Sequence, residues 1–324
     1  MGASTADVAM FVAAVVSLLL YLLTLLTINR HRHKAAYNSC FFKITFNLGL
    51  LDLLHLLVDY ALIKFPSYAW LGMDRIALLH PTIFSKAGNL LFWYLGLCQS
   101  VGLLSMAVNR LMLVGYNQEW SDRCLKANVA LTWALPAVAV APLVFFDFEY
   151  RAMDDGVGVV SYWVDDFMQW FYFLACGFYC AFVAVACAVC YIWAYLRVRS
   201  MGAPATDTLK RQQRTEIRLI WIGVALFILQ GACAVFCIGM SFIREASLQL
   251  WLFKAQIYIV DAYSWANPYL LLACSKTLRE DTSSLMFSWR REAEEGARNT
   301  GGPAVLFNKR ADSSPRRAAN ATRR

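Results

Sequence analysis

Seven long apolar runs decide what this chain can fold into: Val8–Ile28, Ile44–Ile63, Leu90–Tyr116, Val129–Phe146, Phe167–Leu196, Leu219–Ile243 and Leu248–Cys274. About 20 apolar residues in a helix cross the roughly 30 Å hydrocarbon core of a bilayer. No water reaches backbone N–H and C=O groups there, so only helices and closed barrels span it, and continuous runs of this length exclude a barrel. The composition agrees: of 324 residues, 59% are hydrophobic and 16% charged, which is a membrane balance. The expectation is an all-α, multi-pass integral membrane protein whose residues 1–274 form a bundle of seven transmembrane helices. Residues 275–290 read as an amphipathic surface helix, with Leu278, Leu285, Met286 and Trp289 toward lipid, and 291–324 as a disordered basic tail.

Lysine and arginine orient the bundle, because cytoplasmic loops carry their excess. Of the 30, 24 lie in four segments: 29–43, 110–126, 197–218 and 276–324. The N-terminus is therefore expected outside and the C-terminus in the cytoplasm. The first basic residues, Arg30, Arg32 and Lys34, follow the first run rather than precede it, so that run reads as a retained span and not a secretory signal. The loop after the fourth span is acidic on the outside, with Asp147, Glu149, Asp154, Asp155, Asp165 and Asp166 against Arg151. Topology and anionic lipid account for the net charge of +8, and no nucleic-acid partner is called for. None of the ten cysteines falls in an expected outer loop, so no extracellular disulfide framework is expected.

Charged side chains inside spans are costly and mark candidate sites. In the second span Asp52, His55 and Asp59 share one helical face. In the seventh, Lys254, Tyr258 and Asp261 form a polar face followed by Asn267-Pro268. A helix proline frees a backbone carbonyl, and a neighbouring asparagine helps to satisfy the freed groups. Even as simple helix-to-helix glue, Asp52 and Asn267 set spans two and seven side by side. The third span ends in AVNRLMLV, with Arg110 after Asn109 near the cytoplasmic end. Read alone, Arg110 is an interfacial anchor as readily as a functional charge.

Together these pieces resemble the rhodopsin-like G protein-coupled receptors. NLGLLD is similar to the Asn-Leu-Ala-x-x-Asp pattern through Asn47 and Asp52. AVNRLMLV is similar to the Asp-Arg-Tyr region, Trp133 to the span-four tryptophan, and Asn267-Pro268 to Asn-Pro-x-x-Tyr. Asn-Arg at the end of span three, Trp120 within YNQEW, and NPYLLLACSKTLRED resemble more closely the nematode serpentine chemoreceptors, class gamma or a related class. The resemblance implies a sensory-cell plasma-membrane receptor that binds a small chemical cue in the outer half of the bundle and activates a heterotrimeric G protein at its cytoplasmic face. Asn109 and Arg110 would meet the G protein, while Asn47, Asp52, Asn267 and Pro268 would form a buried polar network. Candidate pocket residues are Asp59, Trp93, Gln99, Lys254, Tyr258 and Asp261, polar or aromatic groups on the outer half.

The departures are specific. Asn109 replaces an acid, so no ion pair within that motif latches Arg110. Leu271 stands where the general family keeps its tyrosine, spans five and six hold no proline, and Ser85 occupies the place of the usual outer cysteine. A ligand-gated channel is the second reading, although no filter-like repeat is present, and a transporter is the third, without paired broken helices. No nucleophile or metal-ligand constellation surrounds the four histidines, so neither an enzyme, a cofactor nor a metal is expected. Asn320-Ala321-Thr322 is a glycosylation acceptor by sequence that the expected topology keeps in the cytoplasm.

Overall fold

The structure, a computed structural model, describes residues 5–34, 37–72, 74–75, 80–115, 118–152, 159–200, 207–243 and 245–300. Within these stretches the side chains of 81, 114–115, 118–122, 152, 162, 207–216, 246–247, 249–250, 253–254 and 289–300 are outside the description. Seven long helices carry the apolar runs: α1 (Thr5–Arg30), α2 (Cys40–Asp59), α3 (Pro81–Gly115), α4 (Gln118–Val140), α5 (Asp166–Ser200), α6 (Asp207–Phe242) and α7 (Ala246–Cys274). An eighth, α8 (Lys276–Thr300), follows directly. Among the described residues six of the helices are long and apolar enough to cross a membrane, and the 29-residue α7 carries the seventh run. Several helices outrun their apolar runs, as α6 does by starting at Asp207, because backbone hydrogen bonding continues wherever no proline or glycine stops it.

The bundle is apolar on its outside as well as its inside. Val12, Leu19, Phe182, Trp193 and Val235 are each more than half exposed, a surface suited to lipid and not to water. Inside, one apolar core at the basic end joins Phe41, Met106, Tyr191, Ile222 and Leu271. A second, toward the N-terminal end of the bundle, joins Trp93, Leu97, Trp163, Tyr172 and Phe173. Close packing of α5 on α6 depends on two glycines. A Cβ on Gly177 would lie 2.6 Å from Ile238 Cγ1, and one on Gly223 would lie 1.9 Å from Tyr191 Cζ, so each missing side chain lets the neighbouring helix approach.

Between α4 and α5 the chain forms an antiparallel hairpin, β1 (Phe148–Ala152) and β2 (Val159–Trp163), with Phe148 opposite Trp163 and Tyr150 opposite Ser161. The sequence reading held only an acidic loop there. The hairpin is fixed to α3 by Ser161: its hydroxyl meets the Ser85 hydroxyl and accepts from Asn89 Nδ2 at 2.6 Å. The Tyr150 hydroxyl donates to the Leu62 carbonyl beyond α2, and burial pushes its pKa up to about 12. Ser85 thus holds the loop by hydrogen bonds at the position where the resembling receptors keep a cysteine, and all ten cysteines are free.

The chain divides into a compact unit, Met1–Thr282, and a second from Ser283 onward. Within the first, the start of α8 is tied to the turn after α1: Asp281 accepts from Tyr37 at 2.9 Å and pairs with Lys34 at 3.1 Å. Arg279 donates to the carbonyls of Leu272 and Ala273, which the end of α7 leaves without helical partners. Leu278 is fully buried in the basic-end core, so it faces protein and not lipid as the amphipathic pattern suggested. Helical structure runs on through Thr300, past the expected boundary at 290. The rest of the tail, Asn320 included, lies outside the described residues.

Candidate functional site

Between the two apolar cores lies a polar layer. Asp52, 3% exposed, accepts from the Tyr21 hydroxyl of α1, from Gln99 Nε2 of α3 at 2.7 Å and from Asn267 Nδ2 of α7 at 3.4 Å. Four helices therefore converge on one carboxylate, which takes three hydrogen bonds as a buried acid requires. Gln99 Nε2 also reaches Ser264 at 3.3 Å, and Gln99 Oε1 faces His55 Nδ1 at 2.5 Å. Because the carboxylate accepts, Nε2 must point to Asp52, and Oε1 then accepts from a protonated His55 Nδ1. In the neutral ring that leaves His55 Nε2 as an acceptor, buried and without a hydrogen-bond partner.

A second cluster sits farther toward the N-terminal end. Lys64 is 2% exposed and lies 2.7 Å from Asp59 and 2.5 Å from Asp261. Its ammonium also rests 4.1 Å from the ring centre of Tyr60, whose hydroxyl donates to Asp261 at 3.3 Å. In a regular α-helix, residues five apart point about 140° apart, so Asp59 and Lys64 would not meet. They meet because α2 widens into a π-turn over Tyr60–Lys64, closed by the Phe65 N–H on the Tyr60 carbonyl. Sequence periodicity missed Lys64 for that reason. A π-turn leaves no mark in a 3.6-residue pattern, and the one available signal was the lysine itself at the end of an apolar run.

A cavity of about 60 Å³ lies between α2, α3, α5, α6 and α7. His55 and Gln99 of the polar layer border it, with Phe92, Trp93 and Gly96 of α3 and Tyr263 of α7. Cys176 and Cys180 of α5 face it beside Cys233 and Cys237 of α6. Above it Trp93 packs edge-on to Tyr172 and Phe173, at ring-centre separations of 5.1 and 5.4 Å, and Tyr172 in turn packs on Trp163 of the hairpin. Among the described residues no three of His, Cys, Asp and Glu gather as metal ligands would.

The six pocket candidates thus divide. Trp93 and Gln99 line the cavity, while Asp59 and Asp261 are bound up with Lys64. The Tyr258 hydroxyl donates to Asp7 of α1 at 3.1 Å, away from the cavity lining, and the Lys254 side chain lies outside the described residues. Of the four network candidates, Asp52 and Asn267 are bonded, and Pro268 follows within α7. Asn47 is elsewhere: its Oδ1 accepts from Trp133 Nε1 of α4 at 2.9 Å, and five residues along a helix turn it about 140° from Asp52. At the basic end Asn109 and Arg110 are both buried, and the Arg110 guanidinium lies 3.9 Å from the ring centre of Phe41. In this packing Arg110 is held inside the bundle by a cation–π contact and is not displayed at a surface. His55 was marked on the polar face of the second span but not among the pocket candidates, and Lys64 was not marked at all.

The sequence matches the model of the family described as serpentine type 7TM GPCR chemoreceptor Srv over residues 10–287. It is similar to the Caenorhabditis elegans protein "Serpentine receptor class V-1", at 28% identity over 158 residues, which is 44% of this chain and 47% of that protein. The match therefore spans about half the length of that relative. The matching family is Srv, where the motifs suggested class gamma or a related class of serpentine chemoreceptor.

Proposed function

The chain belongs to the Srv family of serpentine seven-transmembrane chemoreceptors, and from that premise we propose that it binds a small chemical cue in the cavity bordered by Gln99 and activates a heterotrimeric G protein at its basic end. In this reading the N-terminus faces outside and the membrane is the plasma membrane of a sensory cell, as the charge distribution supports. The observation that carries the reading is the double role of Gln99, which borders the cavity and also donates to Asp52 at 2.7 Å. A molecule that shifts Gln99 must disturb the carboxylate on which α1, α2, α3 and α7 converge. Ligand then acts by its different affinity for two packings of those helices. Arg110 is stored against Phe41 in the packing described here, and reaches the partner in the other.

The test is expression with a chemical panel while G protein activation and membrane current are recorded together. The expected result is an agonist-dependent G protein response that Arg110→Ala abolishes at normal surface delivery. Ligand-gated current without a G protein response would replace the receptor reading by the channel one.

A further inference from the structure

Taking the cavity as the cue site, we propose that His55 is its specificity-determining residue and that the cue is a small neutral molecule carrying one hydroxyl-type hydrogen-bond donor on an apolar skeleton. The inference deepens the receptor reading and rests on it.

The chemistry follows from the direction of the hydrogen bonds. Asp52 accepts from Gln99 Nε2, Gln99 Oε1 accepts from His55 Nδ1, and His55 Nε2 is left as a bare acceptor, buried on a ring that borders the cavity. A buried acceptor without a partner is unfavourable, so a ligand that donates there gains what one lacking a donor forgoes. Around the ring Phe92 lies 4.9 Å from the imidazole, ring centre to ring centre, the nearby thiols and Val260 are poor partners for charge, and the other polar side chains of the lining, Ser100, Gln230 and Gln256 among them, are neutral. A charged amine or carboxylate would lose its hydration with no counter-ion on this wall, because the Asp52 carboxylate is taken up by Tyr21, Gln99 and Asn267 and Asp59 and Asp261 are paired with Lys64. Gly96 keeps the space open; a Cβ there would sit 3.5 Å from His55 Cε1.

Size narrows the class further. A dry cavity of about 150 Å³ takes benzene, so about 60 Å³ accepts roughly two to four heavy atoms without rearrangement. That is the scale of a short-chain alcohol. The three-member chain His55–Gln99–Asp52 also gives a donor at Nε2 a path to the helix junction, since a hydrogen bond at one end of such a chain polarises the others.

The experiment uses the purified full chain in lipid nanodiscs, without G protein, titrated with 2-propanol and with acetone by saturation-transfer NMR against empty nanodiscs. The two probes share a skeleton and differ in the donor. The expected result is saturable 2-propanol binding at least about tenfold tighter than acetone. His55→Phe, which keeps a ring and removes the acceptor, should bring the two probes level, and Gly96→Ala should weaken both by filling the cavity. Equal binding of the two probes to the wild type, retained discrimination in His55→Phe, or no saturable binding of either would overturn the proposal. If His55→Phe fails to fold, the wild-type comparison and Gly96→Ala decide alone. Absence of G protein coupling leaves this binding result untouched, and a chemically responsive receptor indifferent to His55→Phe would sink this inference while sparing the receptor reading.

Discussion

Lys64 Nζ lies 2.5 Å from Oδ1 of Asp261, joining the π-turn after α2 to the middle of α7. Asp59 completes the cluster at 2.7 Å, so one ammonium holds two carboxylates in a space from which water is excluded. Removing one partner of a buried ion pair costs about 3–5 kcal/mol, chiefly by stranding the other charge. Lys64→Met should therefore lower stability by an amount of that order, read as the thermal midpoint in detergent. Replacing the acids as well, with Asp59→Asn and Asp261→Asn, should recover much of the loss, because no charge is then stranded. A Lys64→Met protein as stable as the wild type would contradict the geometry.

The α5–α6 contact makes a second prediction. Since a Cβ on Gly223 falls 1.9 Å from Tyr191 Cζ, Gly223→Ala forces the ring or the helix to move, at about 1–3 kcal/mol for overpacking. Tyr191→Ala should absorb most of that penalty when combined with it. A double-mutant cycle on unfolding free energies should show clear coupling between the two sites, and strict additivity would refute the contact.

Ser85 and Ser161 hydroxyls touch across α3 and β2. Side chains that close place their Cβ atoms near the roughly 3.5–4.5 Å separation of a disulfide. Ser85→Cys with Ser161→Cys should oxidise spontaneously in the secretory pathway, visible as a mobility shift without reductant. The bond should raise the thermal midpoint, a disulfide typically contributing about 2–4 kcal/mol. The same variant reports topology, because a cytoplasmic hairpin would leave the pair reduced.

Asp281 sets a pH limit on the start of α8. Partial burial pushes its carboxyl up, but the Tyr37 hydroxyl, the Lys34 ammonium and nearby His31 together hold it below the usual carboxylate value. A depressed folded pKa contributes stability that is complete above the unfolded value, about 3.9, and is lost as pH falls through the folded one. The contact should hold from neutral pH down to about 4 and release below it. Distances between spin labels at His33→Cys and Lys276→Cys should report this, and Asp281→Asn should flatten the profile.

Legibility in the sequence followed the physics of each signal. Apolar length needs no register, so the membrane class was readable directly, whereas the serpentine family was read from the resemblance carried by Asn109-Arg110, Trp120 and NPYLLLACSKTLRED. The Asp52, His55 and Asp59 face was visible because α2 keeps 3.6 residues per turn up to Asp59. Beyond it the π-turn broke the count and hid Lys64. Asn47 shares a motif with Asp52, yet five positions of helix rotate it toward Trp133. The hairpin strands are five residues each, too short for alternation to stand out in a loop dominated by acids. Pocket candidates chosen for polarity included groups that satisfy one another, as Asp59 and Asp261 do through Lys64; the cavity instead borders His55, whose open nitrogen no spacing rule reveals.

The most direct measurement of the central claim is nucleotide exchange on a heterotrimeric G protein by the purified chain in nanodiscs, with and without an agonist found in the chemical panel. The account predicts agonist-stimulated exchange in the wild type and none in Arg110→Ala, with agonist binding retained in both. Stimulated exchange that survives Arg110→Ala unchanged would contradict it.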